Sequence, residues 1–177
     1  MDLQRLNQTT IEITLNRRSV TIGLSSPESG DIRLALADKK DISELVAGYF
    51  QEPGEYEVQG VMIDGVQTGE QRVSYHILED DVACAAVALL KADDLTDAML
   101  EGLQPAQVLF IWLEEGKVAD VSSLLSRFEA SVLVPVKIPV ALDELEKALH
   151  LPTETTKRTK LVMRDLTSEQ PRLILLT

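Results

Sequence analysis

The chain of 177 residues has one cysteine, two histidines, one tryptophan and 4% aromatic residues. A single cysteine, Cys84, excludes an internal disulfide framework. Two histidines and one cysteine cannot build a His-rich dinuclear zinc site, because zinc takes about four N, S or carboxylate ligands. Basic residues are also scarce: 17 Lys and Arg stand against 29 Asp and Glu, a net charge of −12. A field of that sign repels phosphate backbones and anionic lipid, so neither nucleic acid nor a membrane surface is an expected partner. No long hydrophobic run is present; Val82 to Leu90 is too short to span a bilayer. Met1-Asp2-Leu3-Gln4 has no signal-peptide character, and with one thiol the expectation is a reducing, cytoplasmic setting.

What is present is an ordinary globular composition, 45% apolar and 26% charged. A chain of this length buries a sizeable core as one domain, so global disorder is excluded. The acidity is uneven. Residues 61–150 carry a net −10, whereas 151–177 carry +2. No repeat of 20–50 residues is visible.

The first third reads as strands. Ile11, Ile13 and Leu15 alternate with Thr10, Glu12 and Thr14, the period of a half-buried strand. Asn16-Arg17-Arg18 turns into a second strand, Ser19 to Gly23, and Asp31 to Ala37 follows as a third. Asp41-Ile42-Ser43-Glu44 opens a helix with Asp41 as cap, Glu44 at the capping-box position, and Ile42, Leu45, Val46 and Tyr49 as its stripe. Pro53-Gly54 is a turn, Glu55 to Val58 a strand, and Asp64-Gly65 a hairpin signal. Strands are predicted at Val73–Leu78 and Val82–Val87, joined at Asp80-Asp81.

Helical spacing then alternates with apolar strands. Asp94 caps a helix through Leu95, Met99, Leu100 and Leu103, and a second helix spans Val118 to Phe128. Asp143 caps a third through Leu145 and Leu149. Strands fall at Gln107–Leu113 and Val132–Val136. Residues 151–159 read as a polar linker to closing strands within 160–176. Continuously apolar strands need cover on both faces, which helices outside packed sheets supply.

One block is more specific. Gln51-Glu52-Pro53-Gly54-Glu55-Tyr56-Glu57-Val58-Gln59-Gly60-Val61 resembles the PGEYEV-x-GV segment of small bacterial proteins of the metallo-β-lactamase superfamily, the branch similar to ascorbate-6-phosphate lactonases. Weaker likenesses fall in order around it: Leu6-Asn7-Gln8-Thr9, Leu95-Thr96-Asp97, Val134-Pro135 and Lys160 to Leu166. The resemblance implies an α/β four-layer αββα sandwich in compact form, spanning 1–177 as a single domain. Ile11, Ile13, Val20, Ile22, Val108, Phe110, Ile111, Val134 and Val136 are expected in its two facing sheets. In active relatives a metal-bound hydroxide at one sandwich edge attacks an ester, lactone, phosphodiester or amide.

In register, this chain lacks that site. The His-x-His-x-Asp-His loop corresponds to Ala37-Asp38-Lys39-Lys40-Asp41-Ile42, which keeps only Asp41. The histidine after the PGEYEV strands has no counterpart within Val66 to Gln71. The bridging aspartate falls at Leu89 and the last histidine at Lys137. The implied vestigial pocket is therefore Ala37, Asp38, Lys39, Asp41, Ile42, Leu89 and Lys137, partly filled by Ile42 and Leu89. No catalytic residue, bound metal or cofactor is expected.

Each chemistry-bearing residue also has a structural reading. Asp41 is a helix cap before it is a general base. Lys39 and Lys137 either bind an anion together or pair with acidic neighbours. His76 and His150 read as hydrogen-bonded or surface imidazoles, and Cys84 as a small buried hydrophobe. Asp80-Asp81, Asp93-Asp94 and Asp97 lack calcium-loop spacing and read as turn and cap residues. The sequence thus points to a non-catalytic protein that binds an unspecified protein or small ligand, with a homodimer as one candidate cover for exposed apolar surface. The alternative is a hydrolase with a rebuilt, carboxylate-based or metal-free site using Asp38, Asp41, Lys39 and Lys137.

Overall fold

The computed structural model describes residues 1–16, 18–25, 27–37 and 47–177. Among them, fourteen strands form two sheets. The first is built on β1 (Asp2–Arg5), β2 (Thr10–Leu15), β3 (Arg18–Gly23), β4 (Ile32–Ala35) and β5 (Tyr49–Phe50). The second begins with β6 (Gly54–Val58), β7 (Val61–Gly69), β8 (Arg72–Glu79) and β9 (Val82–Leu89) as an antiparallel meander. It continues as parallel strands β10 (Val108–Leu113), β11 (Val132–Lys137), β14 (Arg172–Leu176) and β12 (Thr153–Thr156). Strand β13 (Arg158–Lys160) returns to pair with β1 at the edge of the first sheet.

The strands bury alternate faces in two layers, as a period of two requires. Ile11, Ile13, Val20, Ile22, Val108, Phe110, Val134 and Val136 meet between the sheets, as expected. Ile111 is one residue out of phase with Phe110 and joins the second layer, beneath the helices. There α2 (Val118–Ser126) contributes Val121, Leu124 and Leu125, and α3 (Leu142–Leu149) contributes Leu145. The short α1 (Asp97–Glu101) precedes β10, and α4 (Met163–Leu166) precedes β14. The helix expected over 41–46 lies outside the described residues; Tyr49, assigned to its stripe, is instead in β5, paired through the parallel register Arg33↔Tyr49.

Several boundaries differ from the sequence reading. The Asp64-Gly65 pair is not a turn: β7 runs through it, and the hairpin turns at Gln59-Gly60, both with positive φ (54° and 89°). Gly65 is small for another reason, because a Cβ there would lie 2.9 Å from the Glu52 carbonyl oxygen. Thr96, not Asp94, caps α1, its hydroxyl accepting from Met99 N–H at 3.2 Å, while Asp94 accepts from Lys91 N–H. Ala141 occupies the cap position of α3, and Asp143 lies in its first turn, 3.3 Å from Lys147. Residues 151–159 are not a linker but mostly strands, β12 on one sheet and β13 on the other, crossing between sheets near Lys157. Residues 161–163 do not form a strand; Leu161 packs in the core and Met163 starts α4.

Candidate functional site

In a parallel sheet the strands end together, and their carboxyl ends border the crevice where ligands bind. Here that edge is formed by Leu89 ending β9 and Leu90 after it, Leu113 ending β10 and Glu114 after it, Lys137 ending β11 and Leu176 ending β14. Antiparallel β8 starts beside them with Arg72. The first sheet brings Arg5, Thr9-Thr10 and Ala35 to Ala37 to the same edge, because four groups hydrogen-bond across the gap. Trp112 Nε1 donates to the Thr9 carbonyl at 2.8 Å, and Val73 N–H to the Leu36 carbonyl at 2.9 Å. The Tyr75 hydroxyl donates to the Ala35 carbonyl at 3.2 Å.

Arg5 is the fourth. Its Nη1 donates to the Leu176 carbonyl at 2.6 Å and its Nη2 to the Val136 carbonyl at 3.0 Å, both in the opposite sheet. Within its own turn, Nη2 donates to Gln8 O at 2.7 Å and Nε to Asn7 O at 2.8 Å. All four acceptors are neutral carbonyls. Burial lowers the Arg5 pKa from its ordinary value, but a guanidinium stays charged in proteins.

Beside it lies a shared ion pair. Arg72 Nη2 is 3.1 Å from one Glu114 oxygen and Lys137 Nζ 3.6 Å from the other. Two cations on one carboxylate leave one positive charge over. The Arg72 Nη1 atom is buried with no hydrogen-bond partner.

Of the residues predicted for a vestigial pocket, Ala37 packs against the inter-sheet layer and Lys137 lies at the edge with its amine paired, as one of the two sequence readings had it. Asp38, Lys39, Asp41 and Ile42 lie outside the described residues. Leu89 is fully buried, but against the helices rather than in the inter-sheet gap, so it fills no pocket there. The alternation of β9 decides this: Ala88, its neighbour, faces the other sheet. Trp112 fills that space, fully buried between the sheets at the edge. Sequence reasoning missed Arg5, Arg72, Trp112 and Glu114. Glu114, a carboxylate closing the all-apolar Val108–Leu113 run, was the available signal.

The remaining N and S donors are elsewhere. His76 Nε2 is 2.8 Å from the Pro105 carbonyl, and its Nδ1 is 3.6 Å from Asp64. His150 ends α3 in the left-handed region, φ 52°. Burial pushes the Cys84 thiol up to about 12, against Met1 Sδ at 3.7 Å. Asp80 accepts from Asn16 in a turn and Asp97 pairs with Arg127 at 2.7 Å. Among the described residues, no three His, Cys, Asp or Glu side chains converge as a metal site. Among the described residues, the ion-paired cluster of Arg72, Glu114 and Lys137, whose one carboxylate is shared by two cations, does not fit zinc.

No protein-family model and no curated protein matches the sequence. Solved structures do match. One, from Thermotoga maritima and assigned as a Zn-dependent hydrolase of the metallo-β-lactamase superfamily, superposes with TM-score 0.77 over 99% of this chain and 98% of its own, at 14% identity. Another, from Parabacteroides distasonis and assigned as a metal-dependent hydrolase, gives TM-score 0.62 over 98% and 91%, at 10% identity. The chain therefore has an α/β fold of the metallo-β-lactamase type. At such identities the likeness carries the fold and not the chemistry.

Proposed function

We propose that this chain is a non-catalytic version of the metallo-β-lactamase fold, with its metal site lost, working by binding rather than hydrolysis. The observation that carries the reading is the placement of the imidazoles and the thiol: His76, His150 and Cys84 are the whole stock of the chain; His76 and Cys84 are engaged in β8 and β9, and His150 ends α3, each away from the strand-end edge. Cations and an indole stand there instead, with Arg5, Arg72 and Lys137 opposing a dication electrostatically. The PGEYEV-like block, which forms strand β6 and its turn, supports descent from the small bacterial lactonase-like branch.

Metal analysis of untagged protein, paired with an ester and lactone hydrolysis screen, tests the proposal. The expected result is transition metal far below one per chain and no turnover. Near-stoichiometric zinc, iron or manganese with chelator-sensitive turnover would overturn it. Metal-free turnover lost on replacing Asp38 or Asp41 would overturn it in favour of the rebuilt hydrolase.

A further inference from the structure

We infer that the cavity between Arg5 and Lys137 is a binding site for a small organic anion, a carboxylate head on an aliphatic body. The cavity, about 360 Å³, lies at the strand-end edge. Its lining combines the polar Arg5, Gln8 and Lys137 with the apolar Ile138, Val140 and Leu142. Among the described residues no carboxylate lines it, although the chain carries 29 acidic residues.

Arg5 supplies the electrostatic reason. Its guanidinium is partly desolvated and donates only to neutral carbonyls; no carboxylate among the described residues forms an ion pair with it. A cation taken out of water without a counter-charge is costly, and an anion entering the cavity offsets that cost. Four of the five guanidinium N–H groups are used, which leaves one on Nη1 for a ligand. Lys137 adds a second charge on a flexible stem. Its tie to Glu114, 3.6 Å, is longer than a hydrogen bond, and Glu114 is already held by Arg72 at 3.1 Å. The amine is thus available to a better-placed oxygen. Gln8, which also lines the cavity, offers an amide donor. The aliphatic wall selects the body, because polar groups fix orientation while apolar lining supplies most of the burial.

The site gives the proposed binding role its ligand class and so rests on the non-hydrolytic reading. It is tested on chelator-treated full-length protein by ¹H–¹⁵N NMR titration with butyrate, hexanoate and octanoate, and with inorganic phosphate as a head without a body. Octanoate is expected to shift the amides of Gln8, Lys137, Ile138 and Val140. Affinity is expected to rise about two- to fourfold per methylene as apolar surface is covered. Lys137→Gln is expected to weaken octanoate binding about tenfold, the low end for a hydrogen bond to a charged group. Val140→Glu, a partly exposed position, places a carboxylate in the cavity and is expected to abolish binding. Arg5 is left intact because it also ties the sheets. Three results each overturn the inference: no octanoate shifts at these amides, affinity unchanged in both variants, or phosphate binding as tightly as octanoate. Failure of the pocket appears in these shifts, whereas failure of the non-hydrolytic reading appears as metal and turnover.

Discussion

Trp112→Phe isolates what the strand-end edge contributes to stability. The indole is fully buried and its Nε1–H is the donor to Thr9 O at 2.8 Å, reaching from β10 of one sheet to the start of β2 in the other. Phenylalanine keeps an aromatic ring but loses both the donor and roughly 40 Å³ of volume, worth about 1 kcal/mol at the usual cavity cost. The Thr9 carbonyl keeps only a long contact, 3.4 Å, from Leu24 N–H, so losing the indole bond adds about 1 kcal/mol. The sum is a destabilisation of about 2 kcal/mol. With a urea m-value of about 2 kcal/mol/M for a small domain, the midpoint falls by about 1 M. Trp112 is the only tryptophan, so the variant loses its fluorescence reporter and both proteins must be followed by far-ultraviolet circular dichroism. A midpoint shift under about 0.2 M with unchanged m would refute the idea that this residue fills and ties the edge.

Two further perturbations test the rest of the fold. Gly65→Ala builds a methyl 2.9 Å from the Glu52 carbonyl oxygen and 3.1 Å from Pro53 Cα, backbone atoms that cannot swing away, so a loss of about 1–3 kcal/mol is expected in urea unfolding; an unchanged midpoint would mean the start of β6 is not pressed against β7. Glu79 is buried, and desolvation followed by the adjacent Asp80 raises its carboxyl pKa above the ordinary 4.5, with Arg18 opposing. An acid with a raised folded pKa binds its proton more tightly when folded, so its charged form destabilises at neutral pH, and that penalty disappears as pH falls through the folded value towards the unfolded one. Glu79→Gln is therefore expected to stabilise the protein at pH 7 and to give no advantage once the pH is below the unfolded carboxyl value; a variant no more stable than the parent at pH 7 contradicts this.

The strands that face both a sheet and a helix were legible because their composition leaves them no alternative. Val108–Leu113 is apolar at every position, and such a run is satisfied only when both faces are covered. The alternation over Thr10–Leu15 likewise marked a strand with one buried face. Edge strands carry no comparable signal. Thr153–Thr156 and Arg158–Lys160 are polar throughout, and they are strands because β14 and β1 offer them unpaired backbone groups. Helix starts failed for a different reason. Asp and Thr both cap, and at Asp94-Leu95-Thr96 the sequence offers two candidates within one turn; the backbone turn at Ala92–Asp94 uses the first and leaves Thr96 for α1. The tight Gln59-Gly60 turn lost to Asp64-Gly65 because Asp-Gly is the stronger hairpin signal in isolation.

Little of the strand-end edge was legible in the sequence. Counting histidines and cysteines from the composition bears on metal binding without any coordinates, whereas Arg5, Trp112 and Glu114 carry no local mark of their role. Arg5 sits at the end of a short strand, 131 residues in sequence from the Val136 carbonyl and 171 from that of Leu176, and each of these separations is closed only by folding. The same long-range closure explains why an arginine suits this position. A lysine carries the charge as a single point and cannot spread planar donors over carbonyls from two sheets, whereas a guanidinium ties β1 to β11 and β14 while keeping its charge on the cavity lining. Sheet-to-sheet attachment and a positive charge with no ion-pair partner among the described residues thus come from one side chain. An edge built this way ties its two sheets through an arginine, and it presents that cation at the carboxyl ends of the parallel strands.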